Sequence, residues 1–273
     1  MSADPRELAD LALAIAREAA ELVREHAARG VGVAATKSSD VDVVTAADRA
    51  TEDLIRSRVL AVRPDDAVLG EEGDDVPGST GVRWIVDPID GTVNFLYGLP
   101  EFSISIAAEV DGPDGPEVVA GVVLDVAKRR EYVGLLDPTS PTGGTATRDG
   151  LPLAVRGPAP LAQRLIATGF SYRAEVRAVQ ARALVELLPR VRDIRRHGSC
   201  ALELCHVAEG SLDGYAEEGV NLWDHAAGGL IARSAGARST MLPGAAGGEL
   251  LVCGPAHGFD ELVAAVRQAG FSA

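Results

Sequence analysis

Two aspartates, a glycine and a threonine follow directly on a hydrophobic run in Trp84-Ile85-Val86-Asp87-Pro88-Ile89-Asp90-Gly91-Thr92. Asp, Pro and Gly are turn formers, so the stretch can be read as a tight turn and no more. It can also be read as chemistry. Asp87 and Asp90, with Pro88 bending the chain between them, offer oxygen ligands to one hard cation. Gly91 and Thr92 can turn backbone N–H groups toward an anion, and a short helix from Thr92 to Leu96 would add its N-terminal amides. The spacing DxxDGT is one residue longer than the DxDGT of phosphatases that form an aspartyl-phosphate. In an extended chain one residue reverses the face to which a side chain points, which argues against an aspartyl nucleophile.

Two other stretches offer donors of the same kind. Gly70-Glu71-Glu72-Gly73 follows the apolar run Ala67 to Leu69, and Asn221-Leu222-Trp223-Asp224 leads into an apolar helix. Taken singly, the glutamates read as a solvated loop and Asp224 as a helix N-terminal charge that complements the dipole. Asp48 likewise reads as a cap at the start of the helical run Arg49 to Val62.

Taken together, Gly70-Glu71-Glu72, the run WIVDPIDGTVNF from Trp84 to Phe95, and Trp223-Asp224 followed by Ala226, Ala227, Gly228 and Gly229 resemble the inositol monophosphatase family of metal-dependent phosphomonoesterases. Val41-Asp42-Val43-Val44-Thr45-Ala46-Ala47-Asp48 extends the resemblance over nearly the whole chain, in the family's order. The resemblance implies two or three Mg²⁺ ions per site. Glu71, Asp87 and the Ile89 carbonyl would hold one, Asp87, Asp90 and Asp224 a second, and Glu71 would contribute to a more labile third. It also implies that Thr92 and Glu71 hold the attacking water, with Asp48 steering the Thr92 hydroxyl, and that Gly91 and Thr92 bind the phosphate. Asp90, the loop Gly198-Ser199-Cys200 and Glu217 would meet the alcohol. Here the chain departs from the family, which commonly has Ala where Cys200 stands and Thr where Val93 stands. His225 reads either as an acid beside Asp224 or as a packed structural residue, and Lys37 either as a visitor to the metal site or as a solvated surface lysine.

The elements that must position these residues follow from apolar periodicity. Leu8, Leu11, Ile15, Ala19, Leu22 and Val23 recur at helical spacing between Pro5 and Ala28, with Gly30 as a stop, and a second helix runs from Asp48 to Val62 before Pro64. Short apolar runs over 67–69, 82–86, 103–110, 118–124 and 130–135, joined by short turns, predict a mainly antiparallel sheet. Residues 137–160 are dense in Pro, Gly and Thr and suggest a junction, dividing the chain into 1–145 and 146–273. Beyond it strands (164–168, 191–195, 212–216, 249–253) alternate with helices (175–188, 199–209, 223–234, 259–269), the pattern of an α/β layer. The expected fold is α+β followed by α/β, and the resemblance implies a layered α-β-α-β-α sandwich of the sugar-phosphatase kind.

Composition bounds the partners. The 273 residues carry 26 Lys and Arg against 40 Asp and Glu, a net charge of -14, which excludes a basic nucleic-acid groove. A cluster of Asp48, Glu71, Asp87, Asp90 and Asp224 would repel itself and any phosphate unless Mg²⁺ were present. Charged residues interrupt the first thirty positions, so no leader is expected, and no apolar run approaches the roughly eighteen residues of a membrane span. Cys200, Cys205 and Cys253 are too few for a disulfide framework and read as small buried hydrophobes of a cytoplasmic protein. The expected activity is Mg²⁺-dependent hydrolysis of a small polyol phosphomonoester, inositol monophosphate foremost. Histidinol phosphate, fructose bisphosphate and a phosphoadenosine nucleotide are the sibling substrates, the last disfavoured by an aromatic content of 4%. A non-catalytic binding protein on the same scaffold is the alternative of another class. The resemblance further implies a lithium-sensitive homodimer.

Overall fold

Strands that are apolar at every position need a layer of structure on each side of their sheet. In the computed structural model, which describes residues 4–29, 33–36 and 43–273, the chain begins with α1 (Pro5–Arg29), β1 (Val33–Thr36), β2 (Val43–Thr45) and α2 (Ala46–Val62). Then follow β3 (Ala67–Gly70), β4 (Val82–Asp90), α3 (Thr92–Tyr97), β5 (Ser103–Gly112), β6 (Gly115–Asp125), β7 (Arg130–Leu136), β8 (Gly144–Arg148) and β9 (Leu151–Pro152). The remainder is β10 (Leu165–Thr168), α4 (Ala174–Leu187), β11 (Asp193–Arg195), α5 (Cys200–Ala208), β12 (Gly214–Glu218), α6 (Leu222–Ser234), β13 (Ala237–Pro243), β14 (Glu249–Pro255) and α7 (Phe259–Gln268).

Among the described residues β3 to β9 form a seven-stranded sheet in sequence order, parallel between β3 and β4 and antiparallel thereafter. A second sheet has the order β11-β10-β12-β14-β13, parallel on both sides of β10 and antiparallel on both sides of β14. Period-two patterning sorts the first sheet's side chains. Trp84, Val86, Ile104, Ile106, Val122 and Leu124 enter one core with α1 and α2. Their neighbours Ile85, Ala107 and Val123 enter another with α5 and α6. The outer face of the second sheet, with Ile166, Ala216 and Val252, packs on Leu187 of α4 and on Phe259, Leu262 and Val266 of α7. The result is the α-β-α-β-α sandwich expected from the resemblance.

The middle helices differ in kind from the outer ones. Every residue of α5 is buried, as are eight of the thirteen in α6, which is what a helix between two sheets requires. Small residues let them approach: a Cβ on Gly121 of β6 would lie 2.9 Å from the Ala227 Cα of α6.

The structure also departs from expectation. The stretch 137–160 holds β8 and β9, so the boundary drawn between 145 and 146 falls inside β8. Only Gly144 and Ala146 of that strand are buried, too weak an apolar signal to mark a strand against its Thr and Gly. β13 went unread for the same reason, since polar residues dominate Arg238 to Thr240. β4 continues through Asp90 rather than ending at Val86. Gly30, Lys37 and the Val41-Asp42 start of the first matching stretch lie outside the described residues. No helix among the described residues is long and apolar enough to cross a membrane. Cys200, Cys205 and Cys253 are free and buried.

The contact between Gly121 and α6 is directly testable. Gly121→Ala forces backbone apart and is expected to cost about 1–3 kcal/mol, read as a lowered urea midpoint with an unchanged slope; a midpoint equal to that of the unaltered chain would refute the close approach.

Candidate active site

A register shift brings the two aspartates of β4 to one face. Asp87 pairs with Ser105 and Asp90 with Ser103 of β5, so three steps on β4 match two on its neighbour. In a regular strand that spacing would send the side chains to opposite faces; the bulge absorbs the extra residue. Asp224 arrives from the first turn of α6, where it completes a capping box with Asn221. The Asn221 amide donates to Asp224 Oδ2 at 2.5 Å. As a result, carboxylate oxygens of Asp87, Asp90 and Asp224 lie within 4.8 Å of one another.

The start of α5 holds Asp90. The Ser199 hydroxyl donates to Oδ2 at 2.5 Å, the Ala201 amide to the same oxygen at 2.7 Å and the Cys200 amide to Oδ1 at 3.3 Å. Ser199, expected to touch substrate, is buried and does not line the cavity described below. It caps α5 by accepting from the Leu202 amide and donates its own hydrogen bond to Asp90.

Glu71 is brought in by a loop pinned to α2. The buried Glu52 accepts from the Glu72 and Gly73 amides at 2.8 Å each, and Arg56 bonds Glu52 as well as the Gly73 and Asp74 carbonyls. Glu71 in turn hydrogen-bonds Asp87. Asp48 is not the cap that the sequence suggested: Thr45 is the N-cap of α2, the helix starts at Ala46, and Asp48 stands one turn in, at the third helical position. It closes the capping box of α2 with Thr45 and takes the Thr92 hydroxyl at 3.1 Å on its other oxygen. The same hydroxyl lies 3.1 Å from the Ile89 carbonyl. Gly91, at φ 94°, makes the turn from β4 into α3, and a Cβ there would meet the Glu101 carbonyl at 2.8 Å. Asn94 then ties α3 to the Glu101 and His197 carbonyls.

These groups border a cavity of about 390 Å³, lined by Glu71, Asp87, Ile89, Asp90, Gly91, Thr92, Gly198, Cys200, Glu217 and Asp224. Glu217 is oriented by the Tyr215 hydroxyl, which donates at 2.6 Å. Burial pushes the Glu217 carboxyl up, while Tyr215 and the Arg196 charge pull it down. Arg173 and Arg196 are the cationic side chains on the wall among the described residues, and Phe170, Tyr172 and Trp223 supply aromatic surface. His225 is not among the lining residues. Burial, and then Arg233, lower its pKa, so it stands as a neutral packed histidine rather than an acid poised at the site. Glu52, Asn94, Arg196 and Tyr215 were not singled out from the sequence. The i, i+4 pair of Glu52 and Arg56 was the one local signal available, and it reads equally as an ordinary helix salt bridge.

The inositol monophosphatase family model matches residues 4–269. The chain belongs to the inositol monophosphatase family. It is 44% identical to a Mycobacterium tuberculosis protein named inositol-1-monophosphatase SuhB, over 97% of this chain and 95% of that one. It is 35% identical to a Pasteurella multocida protein named Nus factor SuhB, over 83% of this chain and 82% of that one. Among solved structures, the extragenic suppressor protein suhB of Bartonella henselae superposes with a TM-score of 0.84 at 29% identity, covering 96% of this chain and 99% of that one. The family is one of phosphoric monoester hydrolases, and that is the enzyme class of this chain.

In this inositol monophosphatase family member the acidic cluster opposes its own ionisation. Burial first, and then Glu71, Asp90 and Asp224, push the Asp87 carboxyl far up. Burial and then Asp90 do the same to Asp224. Asp90 rises from 3.8 to about 7, because burial outweighs the Ser199 and Ala201 hydrogen bonds. Without a cation, native Asp90 therefore keeps a proton that the unfolded chain has released. Its contribution to stability is fully present below pH 3.8 and is lost as pH rises through about 7. In chelator the Tm is expected to fall across that interval and Asp90→Asn to flatten the fall; a Tm of the unaltered chain that is level or rising there would contradict the cluster's electrostatics.

Proposed function

We propose that this chain hydrolyses a small polyol phosphomonoester, inositol monophosphate foremost, with Mg²⁺ as cofactor and water as the nucleophile. The observation that carries the reading is the convergence of Asp87, Asp90 and Asp224 on the cavity that Glu71 and Glu217 also face. The donor set fits the cofactor: carboxylates and the Ile89 carbonyl are hard oxygen ligands, the kind Mg²⁺ takes, and the nearby Cys200 thiol is held protonated by burial. Glu71, Asp87 and the Ile89 carbonyl would hold one ion, Asp87, Asp90 and Asp224 a second, and Glu71 would contribute to a labile third. When bound, Mg²⁺ supplies the charge that admits a phosphate to an acidic pocket and stabilises the entering and leaving oxygens of an in-line displacement.

The chain's own residues do the rest. Asp48 accepts a hydrogen bond from the Thr92 hydroxyl, which leaves the Thr92 oxygen lone pairs to accept from the attacking water. Glu71 takes the second hydrogen bond and the proton as the water oxygen bonds to phosphorus; the phosphorus–oxygen bond to the alcohol breaks, and the departing alkoxide takes a proton from solvent water to leave as the free alcohol. The Gly91 and Thr92 amides face the phosphoryl oxygens. On the far wall Glu217, fixed by Tyr215, accepts from substrate hydroxyls.

A second reading of the substrate draws on the wall itself. Arg173 and Arg196 offer charge for a second anionic group, and Phe170, Tyr172 and Trp223 offer stacking surface. Chain-wide aromatic scarcity therefore weighs less against a phosphoadenosine nucleotide than the sequence suggested, because three aromatic side chains stand on the cavity wall. Cytoplasmic residence, supported by the free buried thiols, and a homodimer and inhibition by Li⁺, both implied by the family, belong to the same proposal.

The test is phosphate release with Mg²⁺ from inositol monophosphate, histidinol phosphate, fructose bisphosphate and a phosphoadenosine nucleotide, compared by kcat/KM. Inositol monophosphate is expected to rank first. No turnover of any of them by folded protein would favour the non-catalytic role instead. Asp90→Asn is expected to lower kcat by at least about 100-fold, the loss that follows removal of one electrostatic stabiliser of a transition state, with the circular dichroism spectrum retained; near-normal turnover would overturn the ligand assignment.

A further inference from the structure

Away from the cavity, α5 carries a second group of metal-type donors. Glu203 and His206 stand at i and i+3, a spacing that places both on one helix face. His197 reaches toward them from the loop that precedes the helix. Its Nδ1 lies 3.0 and 2.9 Å from the two Glu203 oxygens, while His206 Nδ1 lies 3.7 Å from Glu203 Oε2. One ligand atom from each of the three falls within 4.8 Å of the others. None of the three is among the residues lining the cavity.

A hydrogen-bonded His197–Glu203 pair accounts for part of this arrangement and leaves two features over. First, His206 Nδ1 turns toward Glu203 Oε2 but stays beyond hydrogen-bond distance. The separations of 2.9 and 3.7 Å bracket the edge of about 3.3 Å of a tetrahedron with zinc-like bond lengths. Second, the fully buried Asp125, within electrostatic reach of His206, has an Oδ2 with no hydrogen-bond partner among the described residues; the Lys128 ammonium stands 3.8 Å from it. The His197 amide donates to Glu203 Oε1 at 3.0 Å, which fixes the carboxylate with Oε2 toward His206. Such outer support is what ligating carboxylates require. The site is closed at Glu203, 1% exposed, and open at the His197 side chain, 30% exposed, so a cation has a way in.

We propose that His197, Glu203 and His206 bind a divalent cation of the Zn²⁺ class, separate from the carboxylate centre, with a coordination position left to water beside His197. Two imidazoles and one carboxylate select Zn²⁺ over Mg²⁺, which prefers oxygen alone. The cation would clamp the 196–199 loop to α5, the helix whose first turn holds Asp90.

The test uses the full chain in saturating Mg²⁺, titrated with Zn²⁺ by calorimetry, with zinc X-ray absorption to identify neighbouring atoms. The unaltered chain is expected to bind Zn²⁺ that Mg²⁺ does not displace, with imidazole nitrogens around it. His206→Gln is expected to weaken that binding by about 100-fold while Mg²⁺-dependent turnover and circular dichroism are kept. Should His206→Gln misfold, His197→Asn at the open side asks the same question. Absence of Mg²⁺-resistant Zn²⁺, an all-oxygen zinc environment, or a folded histidine variant with unchanged affinity would overturn the proposal.

Discussion

Like charges brought together out of water are the constraint around which this molecule is organised. Asp87, Asp90 and Asp224 come from two elements far apart in the chain and meet within 4.8 Å, all three held substantially away from solvent. Such a meeting is unfavourable by itself, since burial and mutual repulsion both resist ionisation. It persists because each carboxylate is held by amides or a hydroxyl whose positions are set elsewhere. The Ile89 amide donates to Asp87, the opening of α5 donates to Asp90, and the Asn221 amide donates to Asp224. Hydrogen bonds to charged oxygens are the stronger kind, and here most of them come from the starts of α5 and α6.

Those helix starts are rigid because α5 and α6 have nowhere to go. Both lie between the two sheets, with their small and apolar residues in one continuous core. The approach of α6 to β6 at Gly121, and of α6 to α5 at Gly228, where a Cβ would meet the Ala201 carbonyl at 3.0 Å, sets where Asp224 and Asp90 end up. Close-packed interiors transmit such distances faithfully, so the acidic centre inherits its geometry from apolar contacts that never touch it. The outer layers contribute through Glu52 and Arg56 of α2, which anchor the Glu71 loop from the opposite side of the sheet.

Much of this was legible in the sequence, and the reasons are local. The helix 5–28 was readable because burial on one face repeats along the chain, and 103–110 and 223–234 because they are apolar runs of strand and helix length. The acidic stretches were readable because ligand chemistry belongs to a residue type. What escaped was weakly apolar or depended on a distant partner. β8 and β13 carry few buried apolar residues, and β9 is two residues long with neither buried. Ser199 reads as a substrate contact until Asp90 is seen beside it. Arg196, Tyr215 and Glu52 look like any other surface arginine, core tyrosine or helix glutamate until the cavity and the Glu71 loop give them neighbours.

The sequence by itself determined the donor types, the order of the elements that carry them and the choice of family, because side-chain chemistry and apolar period are properties of short stretches. The tertiary structure alone decided that Asp87 and Asp90 share a face, that Asp224 joins them, that Ser199 serves Asp90, and that His197, Glu203 and His206 converge. The physical reason is register. A single bulge in β4 reverses where one aspartate points, and the packing of α5 and α6 between two sheets sets distances between residues more than a hundred positions apart, neither of which is written in any local pattern.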